Sequence, residues 1–181
     1  MAAISDQILI SQAALFGSRH AFDMLVRRYE SPLRQFLLNL TGGDRMLSDD
    51  LAQDTFIKAW LQLKTFKNNA AFKTWLFRIA YNVFYDYIRS RKEVHSIEGA
   101  ESEIDRTYRQ NASDGSLQSD LNKAMQLLSA NERTCITLCY VNDMQIKEIA
   151  AVMDMPEGTV KSHLSRGKEK MTTFLKKNGY E

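Results

Sequence analysis

Proline occurs only twice in 181 residues, so little in this chain interrupts a helix from within. No stretch alternates apolar and polar residues over the length of a strand. Apolar residues recur instead at three- and four-residue steps, which predicts an all-α protein. Cysteine is equally scarce. Cys135 and Cys139 sit four apart on a predicted helix with Ile136, Leu138 and Val141, and read as core thiols. The three histidines, His20, His95 and His163, are scattered without ligand spacing, so neither a zinc site nor any other metal or cofactor is expected. The sequence also lacks a long apolar run and a basic-then-apolar start. That argues against a membrane span or signal peptide and leads to the expectation of a cytoplasmic protein.

What is present is an uneven distribution of charge. Residues 1–95 carry thirteen basic side chains and nine acids, residues 96–120 carry two and six, and residues 121–181 carry nine and seven. The middle segment, SIEGAESEIDRTYRQNASDGSLQSD, is poor in large apolar residues and cannot bury enough surface to offset the entropy of ordering it. It reads as a flexible acidic linker over 94–119, between a helical domain at 1–93 and a second at 120–181.

The stretch from Gln145 to Met171 carries the most information. Ile146, Ile149, Ala150 and Met153 form one apolar stripe, with Lys147 and Glu148 toward water. Asp154-Met155-Pro156-Glu157-Gly158 breaks that pattern, and a second helix should begin close to Pro156, where a missing N–H costs nothing. In it Val160, Leu164, Gly167, Met171 and Phe174 share one side, while Lys161, Ser162, Ser165, Arg166 and Lys168 share the other. From Thr159 to Lys177 there are six basic residues and one acid; from Gln118 to Gly158 there are three and six. Two short helices, a tight corner and a basic polar face on the second are the layout of a helix-turn-helix DNA reader.

In the first domain Phe22, Leu25, Val26, Tyr29, Leu33, Phe36, Leu37 and Leu40 mark a long amphipathic helix ending at Gly42-Gly43. Ser48 is expected to cap the next helix, with Asp49 and Asp50 in its first turn and Leu51, Thr55, Ala59 and Leu63 continuing the stripe. Asp50, Gln53, Asp54 and Ile57 lie on an adjoining face. A third helix over about 71–91 has Phe72, Leu76, Ile79, Val83 and Tyr87 as its core stripe, which leaves Trp75, Phe77, Tyr81, Phe84 and Tyr85 to place beside Arg78, Asn82 and Arg89. Rings interleaved with basic residues suit a surface that stacks unpaired bases. A generous aromatic core with snorkelling arginines accounts for the same composition.

Three segments together resemble the extracytoplasmic-function group of bacterial sigma factors: DDLAQDTFIKAW at Asp49 to Trp60, FKTWLFRIAYNVFYDYIRSRK at Phe72 to Lys92, and EIAAVMDMPEGTVKSHLSRGKEKM at Glu148 to Met171. The resemblance implies a region 2 helical bundle and a region 4 helix-turn-helix. It places Asp50, Gln53 and Asp54 on the clamp of the polymerase's largest subunit. Lys67, Asn68 and Asn69 would line a pocket for a base flipped from the −10 element, and Trp75, Arg78, Tyr81, Asn82 and Arg89 would hold the separating strand. Lys161, Ser162 and Arg166 would meet −35 bases, with Thr159 and Lys168 on phosphates; Ser165 and His163 depart from the larger side chain and the arginine usual there. The partners implied are core RNA polymerase through its clamp and flap, promoter DNA and an anti-sigma factor.

A LuxR-type regulator is the alternative, because its DNA-binding domain also contains EIA followed by TVKxHL. Such a protein normally carries an α/β receiver or ligand domain, whereas the first half here is helical, aromatic and basic. An enzyme is not expected, since no nucleophile–base pair, metal site or phosphate loop is present.

Overall fold

The computed structural model describes residues 4–67, 71–95 and 117–180, which form helices and turns without a strand. The first helix, α1 (Asp6–Phe16), ends at Gly17 in the left-handed region (φ 64) and buries Leu9, Ile10 and Ala13. Asp6 ties it to the next helix by accepting from the Arg28 guanidinium and the Tyr29 hydroxyl. Helix α2 (Arg19–Leu40) is capped by Ser18, whose side chain accepts the Ala21 N–H. Phe22, Leu25, Leu33, Phe36, Leu37 and Leu40 are buried along it, and Gly42 and Gly43 take positive φ just past its end.

Helix α3 (Arg45–Gln62) starts four residues earlier than the sequence suggests. Asp44, not Ser48, is the cap: its carboxylate accepts the Leu47 N–H. Ser48 is buried one turn inside the helix, where its hydroxyl donates to the Asp44 carbonyl and pairs with Thr41 Oγ1 at 2.8 Å. Aspartate caps as well as serine, and the serine hydroxyl satisfies the helix backbone from within. A single 3-10 turn (Leu63–Thr65) follows.

Helix α4 (Phe72–His95) crosses α2 and α3 and fills the bundle. Phe77 is fully buried, its ring 5.3 Å from Phe36, and Phe84 is 5% exposed. Both rings therefore belong to the core. A helix wedged between two others buries more than one stripe, which a single 3.6-residue pattern does not reveal.

The second half holds α5 (Leu117–Gln126), α6 (Ala130–Ile136), α7 (Ile146–Met153) and α8 (Glu157–Lys177). Helix α4 runs to His95 and α5 begins at Leu117, and the rest of the expected linker lies outside the described residues. Helix α6 opens on a reciprocal capping box between Ser129 and Glu132 and widens into a π turn over Thr137–Val141. Cys135 is buried, and burial, then Cys139 and Glu132, push its thiol up to about 12, leaving an inert core group; Cys139 is half-buried. Helix α7 packs against both α8 and α4, so the buried apolar residues of the two halves form one cluster.

Candidate polymerase and DNA interfaces

Asp50, Gln53 and Asp54 are all exposed on α3. Asp50 and Gln53 line an open groove of about 520 Å³ between α2 and α3, whose floor is Phe22, Val26, Phe56 and Ile57, with Leu61 at one end. Ile57 is 51% and Leu61 72% exposed, so the acidic face borders an apolar one. Arg34 closes the rim by pairing with Asp49 at 3.2 Å. The sequence reading placed Ile57 on this face with the charged residues but missed Leu61, which stands four residues on from Ile57 off the core stripe, a signal that could have revealed it. A partner that combines basic side chains with an apolar ridge fits this groove.

The strand-opening candidates divide along α4. Lys67 is exposed ahead of it, and Asn68 and Asn69 lie outside the described residues. Trp75 is half-buried, with its ring 5.1 Å from Phe66 and 5.6 Å from Phe72. Asn82 and Arg89 are exposed at seven-residue steps from Trp75, so the three share one face. Arg78 and Tyr81 turn toward the second half of the chain. Arg78 pairs with Asp154 at 3.4 Å, and Tyr81 is half-buried with its ring 4.4 Å from Tyr85. Burial, then the neighbouring Tyr85, holds the Tyr81 phenol above the ordinary tyrosine range, so it stays neutral.

On α8 all six predicted residues, Thr159, Lys161, Ser162, Ser165, Arg166 and Lys168, are exposed, while Val160, Leu164 and Gly167 are buried. Helix α7 begins with a capping box between Gln145 and Glu148. Glu148 does not face open water as its spacing suggests: it is half-buried, because it also accepts from Thr74 Oγ1 at 3.3 Å. Asp154 then turns the chain through the left-handed region (φ 54), and Pro156 precedes α8 as its cap residue.

Beneath α8 lies Glu132, whose part no local pattern in the sequence reveals. Its buried carboxylate accepts from Lys170 Nζ at 2.8 Å, and Arg166 Nε lies 3.9 Å away. Burial raises the carboxyl, but Lys170 and the Ser129 N–H outweigh that and hold it below the usual carboxylate range. Arg166 also donates to His163 Nδ1 at 3.3 Å, and the Lys168 ammonium lies 6.0 Å from the Tyr140 ring centre. The basic face is thus held in place from below. Close packing at Gly167 sets its height, since a Cβ there would meet Ile136 Cγ1 at 2.9 Å. Gly167→Val should cost roughly 1–3 kcal/mol through overpacking that outweighs any gain in helix propensity. Thermal denaturation of the full chain, expected to show a lower Tm, checks this.

The two halves match the family models for sigma-70 region 2, over residues 25–94, and sigma-70 region 4, over residues 118–171. The chain is 31% identical over 172 residues to the extracytoplasmic-function sigma factor SigW of Bacillus subtilis, covering 88% of this chain and 91% of that one. It is 32% identical over 180 residues to the sigma-E factor of Escherichia coli K12, covering 92% of each. Among solved structures it resembles the sigma factor RpoE of Bartonella quintana in complex with the anti-sigma factor NepR (TM-score 0.71, 31% identity, 86% of this chain and 96% of that one). It likewise resembles CnrH in complex with the cytosolic domain of CnrY (TM-score 0.70, 30% identity, 96% and 99%).

The chain belongs to the extracytoplasmic-function group of the sigma-70 family. It is a sigma factor, which binds core RNA polymerase, recognises −10 and −35 promoter elements and promotes strand opening for initiation. The LuxR-type alternative finds no support.

Proposed function

We infer that the three surfaces divide the work of initiation. The α2–α3 groove with Asp50, Gln53 and Asp54 docks the polymerase clamp. The α4 face with Trp75, Arg78, Tyr81, Asn82 and Arg89, together with Lys67, Asn68 and Asn69 before it, takes the −10 strand. Lys161, Ser162, Ser165 and Arg166 on α8 read the −35 element, with Thr159 and Lys168 on phosphates. The observation that carries this reading is the sidedness of α8: every proposed DNA contact is exposed, while the opposite face is anchored on α6 and α7. The domains we assign are 1–93 and 120–181, with 94–119 between them. The chain supplies binding and strand separation, and the polymerase supplies the chemistry. Because no described helix is long and apolar enough to cross a membrane, and both polymerase and promoter must be met, the site of action is the cytoplasm. The similar sigma factor RpoE of Bartonella quintana is held by the anti-sigma factor NepR, so an anti-sigma factor is proposed for this chain too.

Transcription by purified core polymerase plus this protein on genomic DNA, with start sites mapped, tests the whole reading. The starts should share one −10 and one −35 sequence; scattered starts with no shared upstream box would overturn it. Arg166→Ala should then cost about 1–3 kcal/mol of discrimination at the −35 box without weakening the complex with core. Lys168→Ala should weaken binding to every sequence alike and reduce the salt slope by about one. Equal preference for matched and mismatched boxes before and after Arg166→Ala would remove it from base reading.

A further inference from the structure

Of the proposed −35 contacts, Arg166 is gripped by two neighbours before any DNA arrives. Its Nη2 donates to His163 Nδ1 at 3.3 Å, one turn nearer the start of α8, and its Nε lies 3.9 Å from Glu132 Oε1 on α6. Both contacts fall on one edge of the guanidinium. The Nη1–Nη2 edge remains for a base, and a pair of parallel donors is what guanine O6 and N7 accept. His163 adds a direction. A recognition helix meets base edges with its N-terminal residues, and the bond to His163 draws the guanidinium toward that end.

Glu132 has little freedom of its own. It is the third residue of α6, where the capping box ties its Oε2 to the Ser129 N–H at 2.9 Å. Lys170 Nζ donates to the same oxygen at 2.8 Å, which leaves Oε1 facing Arg166. The Glu132 side chain is 5% exposed and that of Arg166 58%, so the acid is the anchored partner and the arginine the one steered. Burial works against ionisation of the carboxyl, yet Lys170 and the Ser129 N–H hold it below the usual carboxylate range. The charge therefore persists at neutral pH.

Two features of α8 bring it over this acid. Arg166 and Lys170 stand four apart, on one face of the helix and above a single carboxylate. Gly167 allows the close approach, since even a Cβ added there would stand only 3.7 Å from Glu132 Cβ. At 3.9 Å the Arg166 contact is an attraction and not a hydrogen bond, so it orients the guanidinium without locking it. An arginine left loose reaches phosphates and bases from many rotamers and loses that freedom on binding. Fixing its Nε edge beforehand removes part of the loss and favours the orientation that reads a base over those that meet a phosphate.

We propose that Glu132 is a positioning residue for −35 recognition: from beneath α8 it steers the Arg166 guanidinium and so sets how sharply Arg166 discriminates among bases. The inference rests on the assignment of Arg166 to a −35 base. It extends the determinants of promoter choice to a buried side chain that lies beneath the helix and away from the DNA.

Glu132→Gln tests it, because glutamine also serves the third position of a capping box and only the charge is lost. Holoenzyme made from core polymerase and the full-length variant is titrated with a promoter duplex taken from the mapped start sites, and with every single-base substitution of its −35 box. At the position where Arg166→Ala costs most discrimination, Glu132→Gln should lower the ratio of matched to mismatched affinity about fivefold, a part of what losing the arginine costs. Affinity for mismatched duplexes should hold or rise, because a negative charge beneath the DNA face is gone. Added to Arg166→Ala, the substitution should leave the ratio unchanged. Lys170→Met removes the other cation but keeps Glu132 charged, so it should not move the ratio either. Should Glu132→Gln lose its cooperative melt, Glu132→Asp, which withdraws the charge by one carbon, carries the test with the same sign and a smaller effect.

An acid that only staples the helices predicts a different pattern. Glu132→Gln and Lys170→Met would then lower matched and mismatched affinity together and leave the ratio intact, and that result overturns the proposal. If Arg166→Ala itself changes no ratio, the base-reading assignment falls and the proposal with it. If Arg166→Ala lowers the ratio and Glu132→Gln does not, Arg166 reads its base unaided and only the positioning role falls.

Discussion

Reversing two charges, Asp50→Arg with Asp54→Arg, should lower affinity for core polymerase by at least about a thousandfold while leaving the helical fold intact. Both carboxylates are exposed, and the nearby Arg34–Asp49 pair is untouched. Surface substitutions of this kind usually change stability by no more than about 0.5 kcal/mol. The loss comes from the interface, where replacing attraction by like-charge repulsion costs several kcal/mol and every 1.4 kcal/mol is about tenfold in affinity. The apolar side of the same groove predicts a second signature. Ile57→Ala with Leu61→Ala should weaken binding by a smaller factor that does not change with salt, whereas the deficit of the charge-reversed protein should shrink as ionic strength rises. Competition against a labelled sigma factor for core at two salt concentrations separates the effects. Undiminished competition by the charge-reversed protein would move the polymerase contact away from α3.

Periodicity was enough to locate α2, α4 and the helix-turn-helix, because each carries at least one continuous apolar stripe at helical spacing. It failed where packing is not one-sided. Phe77 and Phe84 looked like surplus rings beside an arginine-rich face, yet α4 is clasped by α2 and α3 and buries both. Helix α1 went unread because its apolar residues do not make one clear stripe: Ile8, Leu15 and Phe16 are exposed while Leu9, Ile10 and Ala13 are buried. The start of α3 was misplaced from Asp44 to Ser48 because both residues can cap, and only the Leu47 N–H bond distinguishes them. The polar faces of the candidate sites were visible as residue types at helical spacing. Their support was not, since Glu132 reaches Lys170 across 38 positions and Asn142 reaches Pro32 across 110. Contacts of that span depend on how the helices are stacked, which local pattern does not encode.

The division of α4 into an open and a covered face gives the second large expectation. Asn82→Ala with Arg89→Ala should reduce promoter opening about a hundredfold, because each lost contact to the separated strand is worth on the order of 1–3 kcal/mol. These two residues test the strand role more cleanly than the rings do. Trp75 packs on Phe66 and Phe72, so Trp75→Ala should by itself cost about 2 kcal/mol of stability, roughly half the loss for a fully buried aromatic, and confuse folding with function. Asn82 and Arg89 are exposed, and among the described residues Arg89 makes a long 3.9 Å pair with exposed Asp86, so their removal should shift Tm by no more than about 1–2 °C. Permanganate reactivity of thymines near the start site should fall in the double variant while the closed complex still forms. On a template whose −10 region is already unpaired by mismatches, initiation should recover most of the loss, because the contacts are then needed to hold a strand and no longer to help separate it. Full permanganate reactivity in the double variant on duplex DNA would place strand capture elsewhere than this face of α4.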